Sequence, residues 1–352
     1  MNPAFWRGKR VLLTGHTGFK GSWLALWLDS LGAKVSGFSV DVPTSPSLFD
    51  AARVGESLRD GRGDVREPGA VEQALSEARP EVVFHLAAQS LVRQSYAQPV
   101  ETYATNVMGT AHVLEATRSA ASVRAVVVVT SDKCYENRES GRAYVEGDAM
   151  GGHDPYSSSK GCAELVTAAY RNSFFNKSKA GIASARAGNV IGGGDWSQDR
   201  LIPDIYRAAA AREAVRIRNP KAVRPWQHVL EPLAGYLLLA ERLHDGARVA
   251  EAWNFGPDQS DSRPVAEVVD RVVKLWGDGL RWEQDPGSHP HEAILLRLDS
   301  AKAHKQLAWQ PRLALDEALA WTVEWYKAFL ARQDMRRVTL AQIARYAELV
   351  AA

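Results

Sequence analysis

Cysteine is scarce. The 352 residues hold two, Cys134 and Cys162, too few for a disulfide framework and in keeping with a reduced, cytoplasmic compartment. Cys134 reads as a small buried packing residue rather than a nucleophile. The nine histidines form no HExxH or clustered pattern, so no metal site is expected, and His289-Pro-His291 reads as a loop. No apolar run approaches the roughly 20 residues that a membrane span requires, and the first residues lead straight into a strand, leaving no room for a signal peptide. Neither sign of charge dominates: 43 basic against 41 acidic residues leave +2, scattered along the chain. Nothing in that balance calls for a nucleic acid polymer or an anionic membrane as partner. Repeats and low-complexity tracts are missing. With 45% hydrophobic and 24% charged residues the composition is that of a globular protein, long enough for one large domain with a lobe or for two domains.

What is present alternates. Short apolar runs are separated by helical patterns, the signature of βαβ units and a parallel sheet. Strands are expected at residues 11–14, 34–40, weakly before Asp64, at 81–86, at 124–129 and at 182–186. A helix over residues 18–31 places Trp23, Leu24, Trp27, Leu28 and Leu31 on one face, and others are expected near 100–117 and from Asp154 onward. Right-handed crossovers make this an α/β, doubly wound, Rossmann-type sheet. After residue 188 the pattern loosens into loops, short strands near 253–256 and 280–282, and helices over 230–243, 313–331 and 339–351. The expected division is a dinucleotide-binding domain over 1–188 and a smaller substrate lobe over 189–352, partly interleaved with the first.

Thr14-Gly15-His-Thr-Gly18-Phe19-Lys20-Gly21 follows a strand and opens a helix. Glycines there permit a tight turn and close backbone approach, and the helix N-terminus takes a pyrophosphate. Asp41, about twenty residues on at the end of the second strand, is placed to accept the adenosine ribose diol, which favours NAD over NADP. Lys20 pulls the other way, since a basic residue in this loop could meet a 2′-phosphate. Asp64, Val65, Leu86, Ala87, Ala88, Asn106 and Thr130 fall at successive strand ends, where they would flank adenine, ribose and nicotinamide.

Tyr156-Ser-Ser-Ser-Lys160 stacks an ammonium one helical turn from a phenol. A nearby cation lowers a tyrosine pKa, so the pair is expected to make a base that works near neutrality, with both groups also touching the cofactor. Thr130-Ser131-Asp132-Lys133 closes the most buried strand, and ligands of open α/β sheets bind at such carboxyl ends. An Asp-Lys pair at a strand end is ordinarily an exposed salt bridge. Beside a nicotinamide it reads instead as a separate acid and base acting on a sugar carbon next to a transient ketone, with the lysine pKa lowered by burial or by nearby positive charge.

These segments, together with Ser131-Asp-Lys-Cys-Tyr-Glu-Asn137, residues 154–164, 186–196 and 199–204, Arg224-Pro-Trp-Gln-His-Val229 and residues 253–257, closely resemble the CDP-glucose 4,6-dehydratases. These are extended short-chain dehydrogenases/reductases acting on nucleotide sugars. The resemblance implies a retained NAD and a substrate such as CDP-glucose. It implies that Tyr156, supported by Lys160 and with Ser131 holding the sugar 4-hydroxyl, deprotonates that hydroxyl while hydride leaves C4. Lys133 then removes the C5 proton as Asp132 protonates the C6 hydroxyl, water leaves, and hydride returns to C6. Gln89, Asn189, Arg224, His228 and Glu292 are the candidates for nucleotide-sugar contacts, Arg224 for phosphate above all. Homodimers or higher homo-oligomers through helices near 100–117 and 156–175 are implied by the same likeness. Rival readings are a dehydratase or 4-epimerase of a UDP-, dTDP- or GDP-linked sugar, and a catalytically silent NAD-binding module.

Overall fold

The computed structural model describes residues 1–139, 141–287 and 295–351. Seven parallel strands form the central sheet: β1 (Arg10–Thr14), β2 (Lys34–Ser39), β3 (Arg59–Arg62), β4 (Val82–His85), β5 (Ala125–Val129), β6 (Gly181–Arg186) and β7 (Ala252–Asn254). Their spatial order is β7-β6-β5-β4-β1-β2-β3. The order reverses between β1 and β4, and a crevice opens at the carboxyl ends of strands at such a switch point. All five residues of β5 are buried, as befits a strand covered on both faces.

Helices α1 (Phe19–Ser30), α2 (Pro68–Ala78), α3 (Pro99–Tyr103), α4 (Gly109–Arg118), α5 (Pro155–Tyr170), α6 (Leu230–His244), α7 (Leu315–Leu330) and α8 (Met335–Ala351) cover the sheet and its neighbouring lobe. A π turn at Ala104–Met108 joins α3 to α4. One face of the sheet carries Val113, Leu114, Val126, Val128 and Ile182 in a compact core. The larger core on the other face holds Trp6, Trp23, Trp27, Trp253 and Trp325.

Helix α1 departs from expectation. A single apolar face was predicted, yet every residue from Gly21 to Leu28 is buried, because α8 and the segment around Leu48 and Phe49 pack over the side that would meet water. The later strand at Ala252–Asn254 joins the main sheet beside β6 rather than a separate lobe. The remaining short strands form three two-stranded ladders, among them Val190–Ile191 with Gln227–His228. Among the described residues no helix is long and apolar enough to cross a membrane.

Glu231, at the start of α6, ties the C-terminal helices to this frame. Its side chain accepts the backbone N–H groups of Arg312 and Leu313 at 2.9 and 2.7 Å and meets the Tyr346 hydroxyl at 2.7 Å. Burial pushes its pKa up from 4.5 to about 7. Folding therefore binds a proton between these two values. The stability that this carboxyl contributes is full below pH 4.5 and is lost as pH rises through about 7. Glu231→Gln is expected to flatten the pH dependence of the unfolding free energy over that window, by on the order of 3 kcal/mol. Denaturant melts at several pH values check this, and identical slopes for the two proteins would refute it.

Candidate active site

The cofactor loop leaves β1 at Thr14 and is shaped by its neighbours. The Thr14 hydroxyl is hydrogen-bonded to His85 across the switch point and accepts the Ala87 N–H, so its side chain faces the protein and holds the end of β4. Gly15 has φ +75, and a Cβ there would lie 2.6 Å from the Ala87 nitrogen. Only glycine allows the loop to pass this close to the Leu86–Ala87 backbone. His16, fully buried, is fixed by Asp60 at 2.8 Å and by Ser39 at 2.9 Å.

Helix α1 begins at Gly18 with no side-chain cap among the described residues, which leaves the free N–H groups of its first turn for a ligand. A Cβ on Gly18 would meet only the Gly15 carbonyl, at 3.4 Å. Protein packing alone does not demand glycine here, whereas a pyrophosphate resting on the helix end does. Gly21 packs against Gly15 with no room for a side chain. Asp41 is exposed on the rim beyond β2, its carbonyl receiving the Thr17 hydroxyl at 2.6 Å. The open helix end and the glycine-lined loop are features that suit a dinucleotide phosphate.

Lys20 is a correction. It does not point to the ribose end, where a 2′-phosphate would lie. Its electrostatic neighbours are Arg200, Asp132, Lys160 and Asp195, and burial with the Arg200 charge lowers its pKa to about 7. Phe19 reaches across to Gly192. Asp64 is paired with Arg66, and the carbonyl of buried Val65 is hydrogen-bonded to His112. Leu86, Ala87 and Ala88 are half-buried along the end of β4. Asn106 is 1% exposed and acts as a brace, donating to the Gln89 carbonyl and to Ser159 of α5.

At the end of β5 the constellation closes. Asp154 caps α5 by accepting the Ser157 N–H at 2.9 Å, with Pro155 in the first turn. This start sets the register that buries Tyr156, Lys160 and Glu164, four residues apart, on one face. Ser131 donates to Asp132 at 3.0 Å, and its hydroxyl lies near enough to Tyr156 to favour the phenolate. Asp132 is 2% exposed and also accepts the Asn189 amide at 3.2 Å. Among the described residues no salt bridge joins it to Lys133, which is half-buried. The solvent-paired arrangement that would have denied them a role is thus not the one observed.

The tyrosine pKa runs opposite to expectation. Burial pushes Tyr156 up to about 12, only partly opposed by the nearby Ser131 hydroxyl. The Lys160 amine turns to the Val129 carbonyl at 3.4 Å instead. Burial lowers that amine to about 8 against the opposing pull of Glu164. Beneath it, the Glu164 carboxylate receives Thr130, Ser184 and Arg186, and Arg186 continues through Tyr135 to Asn254. Cys134 is fully buried, and burial raises its thiol well above the ordinary value.

The candidate substrate residues divide. Asn189 faces Asp132. Arg224 is buried in the short ladder Val223–Pro225. The Gln89 side chain is engaged by Leu91 and Thr102, so its amide is committed to the loop. His228 is enclosed between Trp23 and Trp321, 0% exposed and with its pKa lowered to about 3 by burial. It is a core residue and does not reach the cleft. Glu292 lies outside the described residues. Two groups were missed. Glu164 continues the Tyr156–Lys160 spacing by one more turn and was legible there. Arg200, which bridges Asp195 at 3.0 Å and Ser90 at 3.1 Å, had no local signal.

Residues 12–322 match the family model described as GDP-mannose 4,6 dehydratase. A curated protein of Salmonella typhimurium described as CDP-glucose 4,6-dehydratase is 53% identical over 97% of either chain. Among solved structures, MoeE5 in complex with UDP-glucose and NAD is 28% identical, with a TM-score of 0.77 over 92% of this chain and 100% of that one. The dTDP-glucose 4,6-dehydratase of Bacillus anthracis, in complex with NAD, shares the fold at 22% identity, with a TM-score of 0.76 over 94% and 100%. With the dinucleotide groove, the tyrosine–lysine helix and these likenesses in one chain, the protein belongs to the GDP-mannose 4,6 dehydratase family, the NAD-dependent nucleotide-sugar 4,6-dehydratases of the extended short-chain dehydrogenase/reductase fold.

Proposed function

We propose that the chain converts CDP-glucose to CDP-4-dehydro-6-deoxyglucose, with Tyr156, Lys160, Ser131, Asp132 and Lys133 carrying the chemistry. The observation that supports it best is buried Asp132, held by the Ser131 hydroxyl at 3.0 Å, at the strand end against which α5 buries Tyr156 and Lys160. The CDP-glucose specificity rests on the Salmonella typhimurium relative. NAD would be held by the Gly15–Gly21 loop, the open N-terminus of α1 and Asp41, with Tyr156 and Lys160 beside its nicotinamide; it would supply a hydride acceptor for C4, the same hydride for C6, and a pyridinium charge that favours the phenolate.

The side chains do the rest. Tyr156 takes the proton of the sugar 4-hydroxyl, which Ser131 holds. The C4 ketone acidifies the C5 proton, and the Lys133 amine removes it. The released pair forms the C5–C6 double bond as the C6–O bond breaks. Asp132 gives its proton to the departing hydroxyl, which leaves as water, and once C6 has regained hydride the Lys133 ammonium returns a proton to C5. A 4-epimerase needs no such acid and base, so buried Asp132 beside Lys133 favours dehydration.

Helices α3, α4 and α5 and the turns that adjoin them leave Val100, Tyr103, Met108, Leu165 and Phe174 exposed, an apolar surface of the kind that pairs with a second copy. The two unpaired cysteines support a reducing, cytoplasmic setting.

Incubated with CDP-glucose, the NAD-loaded enzyme is expected to yield a product lighter by one water with no net accumulation of NADH. An unchanged-mass C4 epimer, or preference for UDP-, dTDP- or GDP-glucose in parallel assays, would overturn the assignment. Lys133→Met should lower water loss by about 100-fold or more, the usual scale for an acid–base group, and abolish C5 exchange with deuterated solvent. C4 oxidation should survive, and undiminished exchange would point to another base. Light scattering is expected to give twice the chain mass, and Met108→Lys with Leu165→Lys should halve it; a monomeric wild type would refute the interface.

A further inference from the structure

The seat of Asp132 is built more closely than a pocket acid needs. Its carboxylate is 2% exposed and is held at both oxygens by different parts of the chain: the Ser131 hydroxyl at 3.0 Å on Oδ1 and the Asn189 amide at 3.2 Å on Oδ2. The third wall is Gly188. A Cβ added there would fall on the carboxylate itself, with Oδ1 only 2.5 Å away, so the carboxyl occupies the space that any side chain at position 188 would fill. Asn189 then turns left-handed, with φ +46, a conformation costly for most residues and tolerated best by glycine and asparagine. The backbone that makes this turn is pinned from below. Gln227, 2% exposed, donates its side-chain amide to the carbonyls of Gly188 at 3.2 Å and Phe255 at 2.8 Å, and its own N–H reaches the Asn189 carbonyl at 3.3 Å.

We propose that Gly188 and Asn189 are positioning residues for Asp132, and that the Asn189 amide serves both of its protonation states during the elimination of water. This rests on the reading of Asp132 as the acid. In that step the O–H bond of Asp132 breaks, its proton goes to the C6 oxygen, the C6–O bond breaks, and a carboxylate remains. The neighbour of such a group has to accept a hydrogen bond before the transfer and donate one after it. A neutral primary amide has both capacities: Nδ2 donates to the carboxylate, and a half-turn of the amide presents Oδ1 to the acid O–H. Among the described residues Gly188 and Asn189 share no hydrogen bond with Tyr156 or Lys160, so the removal of C4 hydride does not depend on these two residues.

The test separates the two steps in NAD-loaded enzyme. Asn189→Gly keeps the left-handed turn and deletes the amide; Gly188→Ala places a methyl group where the carboxyl sits. On rapid mixing with CDP-glucose, both variants are expected to form enzyme-bound NADH at a rate within about threefold of wild type. They then hold it, while loss of water slows by about 100-fold, as for removal of a general acid. Exchange of the C5 hydrogen with deuterated solvent persists, because it depends on the base. Asn189→Asp, which keeps the shape but cannot donate to a carboxylate, does not restore the rate. Melting temperature and NAD content report any general loss of structure, and Asn189→Gly carries the test should Gly188→Ala fail to fold. Parallel loss of C4 oxidation and water elimination would overturn the proposal, and so would water elimination at the wild-type rate. Wild-type enzyme inert toward CDP-glucose would instead mark failure of the substrate reading, and the same comparison is then made with whichever nucleotide sugar it turns over.

Discussion

Glu164 and Arg186 meet at 2.7 Å with 4% of either side chain exposed, and the catalytic end of the sheet is assembled around that contact. Glu164 lies one turn beyond Lys160 on α5 and grips Thr130, the residue before Ser131. Arg186 ends β6 and passes the connection on to Tyr135 and Asn254. One ion pair thereby locks the helix bearing the tyrosine and lysine to the strand bearing the acid. Breaking such a buried pair from one side costs about 3–5 kcal/mol, because the remaining charge is stranded in a dry interior. Accuracy of placement is what the pair contributes: acid, base and phenol have to converge within a few tenths of an ångström to act on neighbouring carbons of one sugar.

Around this anchor, burial sets the charge states. The same desolvation that raises Tyr156 lowers Lys160 and Lys20, since each group is pushed toward its neutral form. Protons are thereby held more loosely on the two amines and more tightly on the phenol than in water. Lys20, Lys160 and Arg200 around Asp132 and Asp195 make a compact field of mixed charge rather than a basic patch.

Several features were legible in the sequence because they are local. The valine run of β5 could only be a strand buried on both faces. The Gly15–Gly21 loop between a strand and a helix had one plausible use, and the four-residue spacing from Tyr156 to Lys160 follows from helical geometry alone. The errors came where direction depends on distant chain. His228 stood in a segment that resembles a substrate loop, yet two tryptophans, one from α1 and one from α7, close over it. The Gln89 amide was spent on Leu91 and on Thr102 of α3. The pKa expected for Tyr156 took account of the neighbouring cation and left out the burial that outweighs it.

Hydrophobic period, glycine placement and helix spacing are properties of short stretches, so the doubly wound sheet, the glycine-rich loop between β1 and α1 and the four-residue spacing of Tyr156 and Lys160 were determined by the sequence itself. Which polar groups face one another was decided only by the tertiary structure. Asn189 reaches Asp132 across 57 residues, and Arg200 reaches Ser90 across 110. Such meetings depend on how segments distant in the chain come to lie together, and no periodicity along the chain encodes the side on which a lone side chain emerges from a loop.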